Sequence, residues 1–350
     1  MPKVAIVGTT SWGMTLGWLL SRNEIDIALW ARTEEEAARF QSQGGPDPLH
    51  SPEIKFPPCL TITSSPAEAL SRAKAVILAV PSQTMRRNIK IFAEHLKRGT
   101  LIVSAAKGLE IGSNKRMSQV IADEISPRLH PFICALSGPN LSREVMKDLP
   151  AATVIAAEDE GMAKTAQKLF TTPNFCVFTN RDIIGVELGG SLKNIVALAA
   201  GMLDGLGAGD NGKAALITRG LTEMTALGAA LGANPLTFSG LAGMGDLVAT
   251  CASTLSRNHY VGFELARGRP LEEITQSMTG VAEGVTTTVA AWSMAQGLGI
   301  EMPITERIHQ VLYEGIQPKQ VMNDFIGLRG RNELSGRRWR LFSFFRRKKK

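Results

Sequence analysis

The chain of 350 residues has few features of a secreted, metal-binding or membrane-spanning protein. Its four cysteines form no C-x-x-C pair and have no histidine at ligand spacing, which argues against a disulfide framework and a zinc site. No charged leader precedes the first predicted strand, and the longest apolar helix candidate, 195–203, stops at Asp204, well short of a bilayer span. These absences favour a cytoplasmic protein without a metal.

Charge is also scarce over most of the chain. The net charge is +7, yet residues 331–350 hold nine arginines and lysines against one glutamate, which leaves −1 for residues 1–330. A nearly neutral body argues against a nucleic-acid partner. The tail, "RRWRLFSFFRRKKK", mixes basic and aromatic residues, and this pattern predicts a weak contact with an anionic membrane surface. A disordered solubilising extension is the open alternative.

Two different sequence patterns divide the chain. Continuous apolar runs separated by helix-length intervals predict a parallel sheet covered on both faces; they are "KVAIVG", "IDIALW", "CLTIT", "AVILAV", "TLIVSAA", "FICALSG", "ATVIAA" and "FCVFT". After residue 182, stretches rich in Ala, Leu, Gly and Met predict helices at 186–203, 211–231, 285–296 and 305–314. The predicted fold is α/β: a doubly wound sheet domain over 1–182, an all-helical domain over 183–330, and the tail over 331–350.

The first strand runs into a glycine turn, "VAIVGTTSWG", at residues 4–13. A dinucleotide-binding G-x-G-x-x-G turn would place glycine at positions 8, 10 and 13, and the chain has Gly8, Thr10 and Gly13. Thr10 puts a branched side chain where the pyrophosphate should approach, although its hydroxyl and that of Ser11 could donate to a phosphate oxygen. We expect a dinucleotide held with reduced affinity, and a strand-turn-helix without ligand is the alternative.

The end of the second strand indicates which dinucleotide is bound. There the chain reads "LWART", with Arg32 and no carboxylate before Glu34. An arginine at this point accommodates the 2′-phosphate of NADP, whereas a carboxylate would bind the ribose 2′-hydroxyl of NAD. The sequence therefore favours NADP(H), with NAD(H) as the alternative.

Residues 185–224 contain the lysine best suited to acid/base chemistry. On a helix, the neighbours of Lys193 on its own face are small or apolar and include no carboxylate. We therefore expect Lys193 to be partly desolvated without a local counter-charge, which lowers its pKa. Gly189 and Gly190 are expected to leave room for a ligand over it.

Residues 240–262 contain a second polar group. Asp246 follows a G-x-G turn, and Ser256, Arg257 and Asn258 are consecutive before an apolar helix. A guanidinium flanked by hydrogen-bond donors suits a small phosphate. Such a polar run can equally be a helix cap.

The segments "WGMTL", "AAKGLE", "SGPNLSREV", "LKNIVALAAGMLDGLGAGDNGKAALITRGLTEM", "AGMGDLVATC", "SRN" and "GVAEGV" occur in the order typical of one enzyme family. Over about residues 1–330 the chain resembles the bacterial-type NAD(P)-dependent sn-glycerol-3-phosphate dehydrogenases. The resemblance implies a Rossmann-type domain followed by a helical one. It also implies reversible reduction of dihydroxyacetone phosphate to sn-glycerol 3-phosphate, which supplies glycerophospholipid synthesis.

The resemblance also implies roles for individual residues. Lys193 matches the catalytic acid/base, Lys107 would polarise the reacting oxygen, and Asp246 would fix Lys193 or a substrate hydroxyl. The implied substrate-binding residues are Lys107, Gly138, Asn140, Lys193, Asp246, Ser256, Arg257 and Asn258. The implied cofactor-binding residues are Gly8, Ser11, Trp12, Gly13, Arg32, Lys107, Ser142, Arg257, Val281 and Glu283.

Three positions depart from the family pattern: Thr10, Asn140 and Ser142. If Thr10 obstructs the pyrophosphate, Thr10→Gly should lower the cofactor KM. Two other functions stay open at this point, a dehydrogenase acting on another 2-keto or 2-hydroxy substrate and a non-catalytic module that binds a dinucleotide or phosphometabolite. The apolar helices favour a homodimer.

Overall fold

The computed structural model describes residues 3–45 and 54–326. Within these residues, eight strands lie before residue 181: β1 (Lys3–Val7), β2 (Asp26–Trp30), β3 (Leu60–Thr63), β4 (Ala73–Leu78), β5 (Leu101–Ser104), β6 (Ile133–Ser137), β7 (Ala151–Ala156) and β8 (Phe175–Asn180). Each corresponds to one of the apolar runs identified in the sequence, and most of their side chains are buried because helices cover both faces of the sheet.

The strands form one sheet in the order β3-β2-β1-β4-β5-β6-β7-β8. All neighbouring strands are parallel except β6 and β7, which pair antiparallel; the predicted parallel sheet is thus confirmed for β1–β6, whereas β7 and β8 run in the opposite direction. A strand's direction is set by its connection and not by its composition, so an apolar run cannot reveal it. The strand order reverses between β1 and β4, which opens a crevice at their carboxyl ends.

Seven helices connect or cover the strands: α1 (Ser11–Ser21), α2 (Glu34–Gln43), α3 (Pro66–Leu70), α4 (Met85–Ala93), α5 (Met117–Glu124), α6 (Ser142–Met146) and α7 (Glu160–Phe170). Between β8 and residue 326, the last residue described, eight more α-helices follow: α8 (Ile183–Gly205), α9 (Gly209–Ala230), α10 (Asp246–Ala252), α11 (Arg257–Ala266), α12 (Leu271–Ser277), α13 (Glu283–Leu298), α14 (Pro303–Tyr313) and α15 (Pro318–Ile326). The four long helices predicted beyond residue 182 are confirmed with small shifts of their ends. The predicted boundary at residue 182 falls between β8 and α8, and the two domains themselves stay a prediction.

Helix α8 forms the centre of the helical part. Nearly all of its 23 residues are buried, and helices α9, α10, α11 and α13 pack around it. It is longer than the predicted 195–203 run and is apolar and long enough to cross a membrane, but 94% of its apolar window is buried inside the protein. It is therefore the core helix of this part of the chain, as expected for a helix that is apolar on all sides.

Candidate active site

Two lysines and one carboxylate meet at the carboxyl ends of β5 and β6. Lys193 Nζ donates to Asp246 Oδ1 at 2.7 Å, and Lys107 Nζ donates to Asp246 Oδ2 at 2.7 Å. Lys107 also donates to the backbone oxygen of Gly138 at 2.8 Å, and Lys193 to the hydroxyl of Thr250 at 2.6 Å. We call Lys107, Lys193, Asp246 and Thr250 the lysine–aspartate cluster.

Three separate elements build this cluster. Lys107 follows β5, Lys193 lies in the middle of α8, and Asp246 and Thr250 are one turn apart on α10. The backbones of these elements approach closely because α8 carries glycines at the contacts. A Cβ on Gly190 would lie 2.3 Å from Ser137 Oγ, and one on Gly189 would lie 2.5 Å from the Ala242 oxygen. The expectation that these two glycines leave room for a ligand is therefore wrong, because other parts of the protein occupy that space.

Burial shifts the proton affinities in the cluster. Lys193 is 6% exposed and Asp246 is 2% exposed. Burial lowers the pKa of Lys193 to about 8, although Asp246 opposes the shift. Burial alone would raise the pKa of Asp246, but Lys107 and Lys193 outweigh it and hold that pKa below its ordinary value. The prediction that Lys193 lacks a counter-charge is thus wrong, while the predicted lowering of its pKa agrees with this geometry.

The cluster keeps hydrogen-bonding capacity for a ligand. An ammonium group carries three N–H donors, and each lysine uses two of them within the protein. One donor on each lysine remains. With both lysines protonated and Asp246 ionised the cluster carries one net positive charge, which suits an oxygen that becomes negative during a reaction.

The predicted phosphate-binding residues 256–258 are connected to the cluster through Asn194. Asn194 Nδ2 donates to the Lys107 oxygen at 3.3 Å, and its Oδ1 accepts from Asn258 Nδ2 at 2.9 Å. Asn258 Oδ1 in turn accepts from the backbone N–H of Gly284 at 2.8 Å. Asn258 therefore uses one amide N–H and its amide oxygen inside the protein, and its binding of substrate stays a prediction.

Ser256 and Arg257 differ in whether their side chains are already hydrogen-bonded within the protein. Ser256 is the N-cap of α11, where its hydroxyl accepts from His259 N at 3.2 Å, so the cap interpretation applies to this residue. Arg257 begins α11, is exposed, and forms no hydrogen bond or ion pair with the part of the chain that the structure describes. Its guanidinium is the group of this tripeptide best able to bind an anion.

Asn140 lies near the cluster but does not contact it. Its amide donates to the oxygens of Pro139 and Ala152 and accepts from Thr153 Oγ1, so it fixes the loop after β6 against β7. Gly138, with φ of +151°, exposes the oxygen that accepts from Lys107. Of these two predicted pocket residues, only Gly138 touches the cluster.

The turn after β1 has the shape of a phosphate-binding loop despite the missing glycine. Thr10 is the N-cap of α1; its hydroxyl accepts from Gly13 N at 3.1 Å and donates to the Ala79 oxygen at 2.7 Å. This proton is thus unavailable to a phosphate, contrary to prediction. With φ of −69°, position 10 needs no glycine, and the side chain turns toward the end of β4.

The glycines kept in this turn have structural reasons. Gly8 has φ of +113°, and a Cβ on Gly13 would lie 2.2 Å from the Gly8 oxygen, so the start of α1 packs directly on the turn. The backbone N–H groups of Ser11 and Trp12 have no partner among residues 3–45 and 54–326. Two free N–H groups at a helix N-terminus fit the pyrophosphate of a dinucleotide. Trp12 Nε1 is likewise buried without a partner in the described chain.

The other predicted cofactor residues surround the same crevice or its mouth. Arg32 follows β2 and is exposed, Ser142 begins α6 half-buried, and Val281 is 40% exposed just before α13. Glu283 accepts from the backbone N–H of Ser82 at 2.9 Å and from its hydroxyl, which joins α13 to the end of β4. Burial raises the pKa of Glu283, although Ser82 and the charge of Arg257 oppose the shift.

Sequence reasoning missed Thr250 and Asn194. Thr250 lies four residues after Asp246, so helical spacing from the singled-out aspartate could have found it. Asn194 directly follows Lys193, and its role depends on contacts with residues 64 and 87 positions away, for which the sequence has no local signal.

Comparison with known proteins gives one family. The N-terminal part of NAD-dependent glycerol-3-phosphate dehydrogenase matches residues 3–163, and the C-terminal part matches residues 182–323. A Dehalococcoides mccartyi protein named glycerol-3-phosphate dehydrogenase [NAD(P)+] is 57% identical over 349 residues, covering 100% of this chain and 97% of the relative. A Geobacter sulfurreducens protein of the same name is 44% identical, covering 96% and 99% of the two chains.

A solved structure agrees in both fold and name. The crystal structure of glycerol-3-phosphate dehydrogenase from Coxiella burnetii superposes with a TM-score of 0.88 at 34% identity, covering 93% of this chain and 99% of that one. The matches span the sheet and the helices that together form the lysine–aspartate cluster and the crevice beside it. The chain belongs to the NAD-dependent glycerol-3-phosphate dehydrogenase family.

Proposed function

We propose that the protein catalyses the reversible NAD(P)H-dependent reduction of dihydroxyacetone phosphate to sn-glycerol 3-phosphate. The observation that carries the proposal is the pair of lysines on the two oxygens of one buried aspartate. The nicotinamide, when bound, supplies or accepts the hydride. Ser11 and Trp12 at the start of α1 would hold its pyrophosphate through their free backbone N–H groups, and Gly13 would allow α1 to pack closely on the turn.

Lys193 is the acid/base of this proposal. In the direction of reduction its ammonium gives a proton to the carbonyl oxygen of the substrate as that oxygen becomes an alkoxide, and in the reverse direction the neutral amine takes the proton back. A pKa of about 8 keeps both forms accessible near neutral pH. Lys107 stabilises the charge on the same oxygen, and Asp246 holds both ammonium groups in place.

Arg257 is proposed to bind the substrate phosphate. Arg257 lies at the N-terminus of α11, burial lowers the pKa of its guanidinium, and the Asn194–Asn258 hydrogen bond fixes this terminus relative to the two lysines. Guanidinium geometry matches two phosphate oxygens at once. The mechanism requires no metal, and a phosphate-bearing ketose fits the positive charge of both groups.

The test is the initial rate of NADPH and NADH oxidation with dihydroxyacetone phosphate. We expect Lys193→Ala to lower kcat by about 10²- to 10⁴-fold, the usual contribution of a general acid. Lys164→Ala is the matched control, because Lys164 is an exposed lysine paired only with Glu160 within its own helix. Equal rates for Lys193→Ala and the control, in folded samples, would contradict the proposal.

The preference between cofactors is proposed to be NADP(H) over NAD(H). Arg32 is exposed at the end of β2, and its side chain has no partner in the described chain, so it is available to a 2′-phosphate. In the same assay Arg32→Ala should raise the KM for NADPH more than the KM for NADH.

Three further proposals concern the setting of the enzyme. We propose a cytoplasmic homodimer. The four unpaired cysteines, including exposed Cys176, suit a reducing compartment. Sedimentation equilibrium tests the dimer.

The tail 331–350 lies outside the described residues, and the proposal of a weak contact with anionic membranes rests on its composition. Full-length protein should sediment with anionic vesicles, and a chain ending at Arg329 should not.

A further inference from the structure

A histidine–carboxylate contact joins α8 to α11 outside the lysine–aspartate cluster. His259, two residues after Arg257 on α11, is 6% exposed, and its Nε2 lies 2.7 Å from Asp204 Oδ2 at the end of α8. Since an ionised carboxylate only accepts, Nε2 carries the hydrogen of this bond. Lys213 Nζ on α9 lies 2.7 Å from the same oxygen, so Asp204 is held from two helices. We call Asp204, Lys213 and His259 the histidine–aspartate tie.

The interface between α8 and α11 is a close contact of two backbones. A Cβ on Gly201 would lie 2.0 Å from the His259 oxygen, and one on Gly262 would lie 1.9 Å from the Leu198 oxygen. Interlocking ridges of side chains set the crossing angle of two helices, and glycines provide no such ridge at this contact. The orientation of α11 on α8 therefore depends strongly on the polar contacts between the two helices.

Two polar contacts hold the first turn of α11, one on each side of the glycine contact. On α8, Asn194 lies before that contact and bonds Asn258 at 2.9 Å, whereas Asp204 lies after it and bonds His259. The two α8 residues are ten positions apart, about 15 Å along the helix axis, while their partners are consecutive on α11. Attachment at two separated points prevents this turn, which begins with Arg257, from tilting.

The Arg257 side chain has little freedom to absorb a tilt of α11. A Cβ on Gly280 would lie 2.6 Å from Arg257 Nη1, so part of the guanidinium lies against the loop before α13. A shift of the first turn of α11 would press this group into the loop or draw it away. The position of the guanidinium is therefore coupled to the histidine–aspartate tie.

The tie is better suited to fixing a geometry than to adding stability. The side chains of Lys213 and Asp204 are 20% and 25% exposed. Charged groups that pair in such a setting lose hydration, and the pair adds little net stability. Selecting one of several similar arrangements is the better-attested use of such contacts.

We propose that Asp204 and His259 are positioning residues for the binding of the substrate phosphate. They fix the first turn of α11, so that Arg257 lies at the distance from Lys193 that the phosphate and the carbonyl group of one substrate molecule require. Neither residue touches the substrate, and both act through Arg257. The inference rests on the proposed function, in which Arg257 binds the phosphate and Lys193 acts on the carbonyl oxygen.

The experiment compares two substrates of the full-length protein that differ only in the phosphate, dihydroxyacetone phosphate and dihydroxyacetone, with NADPH and NADH each at saturating concentration. His259→Phe keeps a ring at this position and removes the donor to Asp204. We expect kcat/KM for dihydroxyacetone phosphate to fall by about tenfold, mainly through a higher KM, because a small displacement of a binding group can cost up to about 100-fold. For dihydroxyacetone, which offers Arg257 no phosphate, kcat/KM should change by less than about twofold.

Three further variants of histidines serve as controls. His259→Gln places an amide nitrogen near the position of Nε2, where it can donate to Asp204, and should keep kcat/KM within about threefold of wild type. His259→Asn is too short for this contact and replaces the phenylalanine variant if that variant does not fold. His309→Phe removes a different histidine–carboxylate contact, from His309 Nδ1 to Glu314 at 3.0 Å, and should leave the kinetics of both substrates unchanged.

A double-mutant cycle tests whether His259 acts through Arg257. Added to Arg257→Ala, His259→Phe should lower kcat/KM for dihydroxyacetone phosphate by less than about a further twofold, because the group that it positions is already gone. Additive losses, an equal loss for both substrates, or no loss from His259→Phe alone would each overturn the inference.

The cycle also separates this inference from the proposed function. If the wild-type protein does not reduce dihydroxyacetone phosphate, or if Arg257→Ala leaves the KM for this substrate unchanged, the proposed function or its phosphate contact fails. If the enzyme is active and sensitive to Arg257→Ala but not to His259→Phe, the inference alone is removed.

Discussion

The two ends of the crevice are built in opposite ways. At the proposed substrate end, Lys193 and Asp246 are buried and Lys107 is half-buried, and these charged groups are held by one another and by Gly138 and Thr250. At the cofactor end, the start of α1 offers free N–H groups, and Arg32 lies exposed. One end is organised before any ligand arrives, and the other leaves its groups available to the ligand.

This difference follows from what each end has to do. A lysine that transfers protons near neutral pH needs a lowered pKa, and burial lowers it; the proposed acid/base, Lys193, accordingly lies in the interior beside a fixed counter-charge. A long dinucleotide is bound through many weak contacts along its length, which can be formed at a surface. Mutations in the lysine–aspartate cluster should therefore lower kcat, and mutations at the cofactor end should raise the cofactor KM.

The largest effect on stability is expected from Asp246→Asn. This change leaves the buried ammonium group of Lys193 and the half-buried ammonium group of Lys107 without their shared anion. Breaking a buried ion pair by removing one partner costs about 3–5 kcal/mol of stability, and we expect kcat to fall by at least about 100-fold. Thermal unfolding and steady-state kinetics measure the two effects.

Asp210→Asn is the control for this prediction, because Asp210 is an exposed aspartate in the first turn of α9. It should leave both quantities nearly unchanged. If Asp246→Asn kept wild-type kcat, the cluster would not be the reacting centre.

Much of the fold could be predicted from the sequence, because buried strands and long helices have local signals. The eight apolar runs and the four long helices of the second half are in the structure. Lys193 was singled out from its small neighbours on one helix face, but that reasoning sees only its own helix. The counter-charge comes from Asp246, 53 residues away on α10, and only the tertiary packing brings it there.

The same limit applies at the cofactor end. The loop motif treated position 10 as a point of contact with the ligand, whereas Thr10 is bonded to Ala79, 69 residues away. Groups that act through long-range contacts were therefore the ones missed or misjudged.

The next effect in size is the pH dependence of the two reaction directions. Reduction requires protonated Lys193, so log(kcat/KM) for dihydroxyacetone phosphate should decline by about one unit per pH unit above pH about 8. Oxidation of sn-glycerol 3-phosphate requires the neutral amine and should decline below the same pH. Rate profiles in both directions measure this, with Lys164→Ala retaining both inflections. The decisive range is from about pH 7 to about pH 9, roughly one unit on either side of that pKa. Rate profiles that are flat over this range in both directions would assign the proton transfer to another group.

The smallest effect is expected from Thr10→Gly, and it separates the two accounts of the loop. If Thr10 obstructed the pyrophosphate, glycine would lower the cofactor KM. The structure instead has the hydroxyl capping α1 and donating to Ala79, so its removal should cost about 1 kcal/mol of unfolding free energy. The cofactor KM should then rise slightly, because the N–H groups of Ser11 and Trp12 lose part of their support. Urea unfolding and cofactor titration measure both quantities, with Thr10→Ser, which keeps the hydroxyl, as the control. A lower KM for the glycine variant at unchanged stability would restore the obstruction account and show that this end of the crevice is less well organised than its hydrogen bonds indicate.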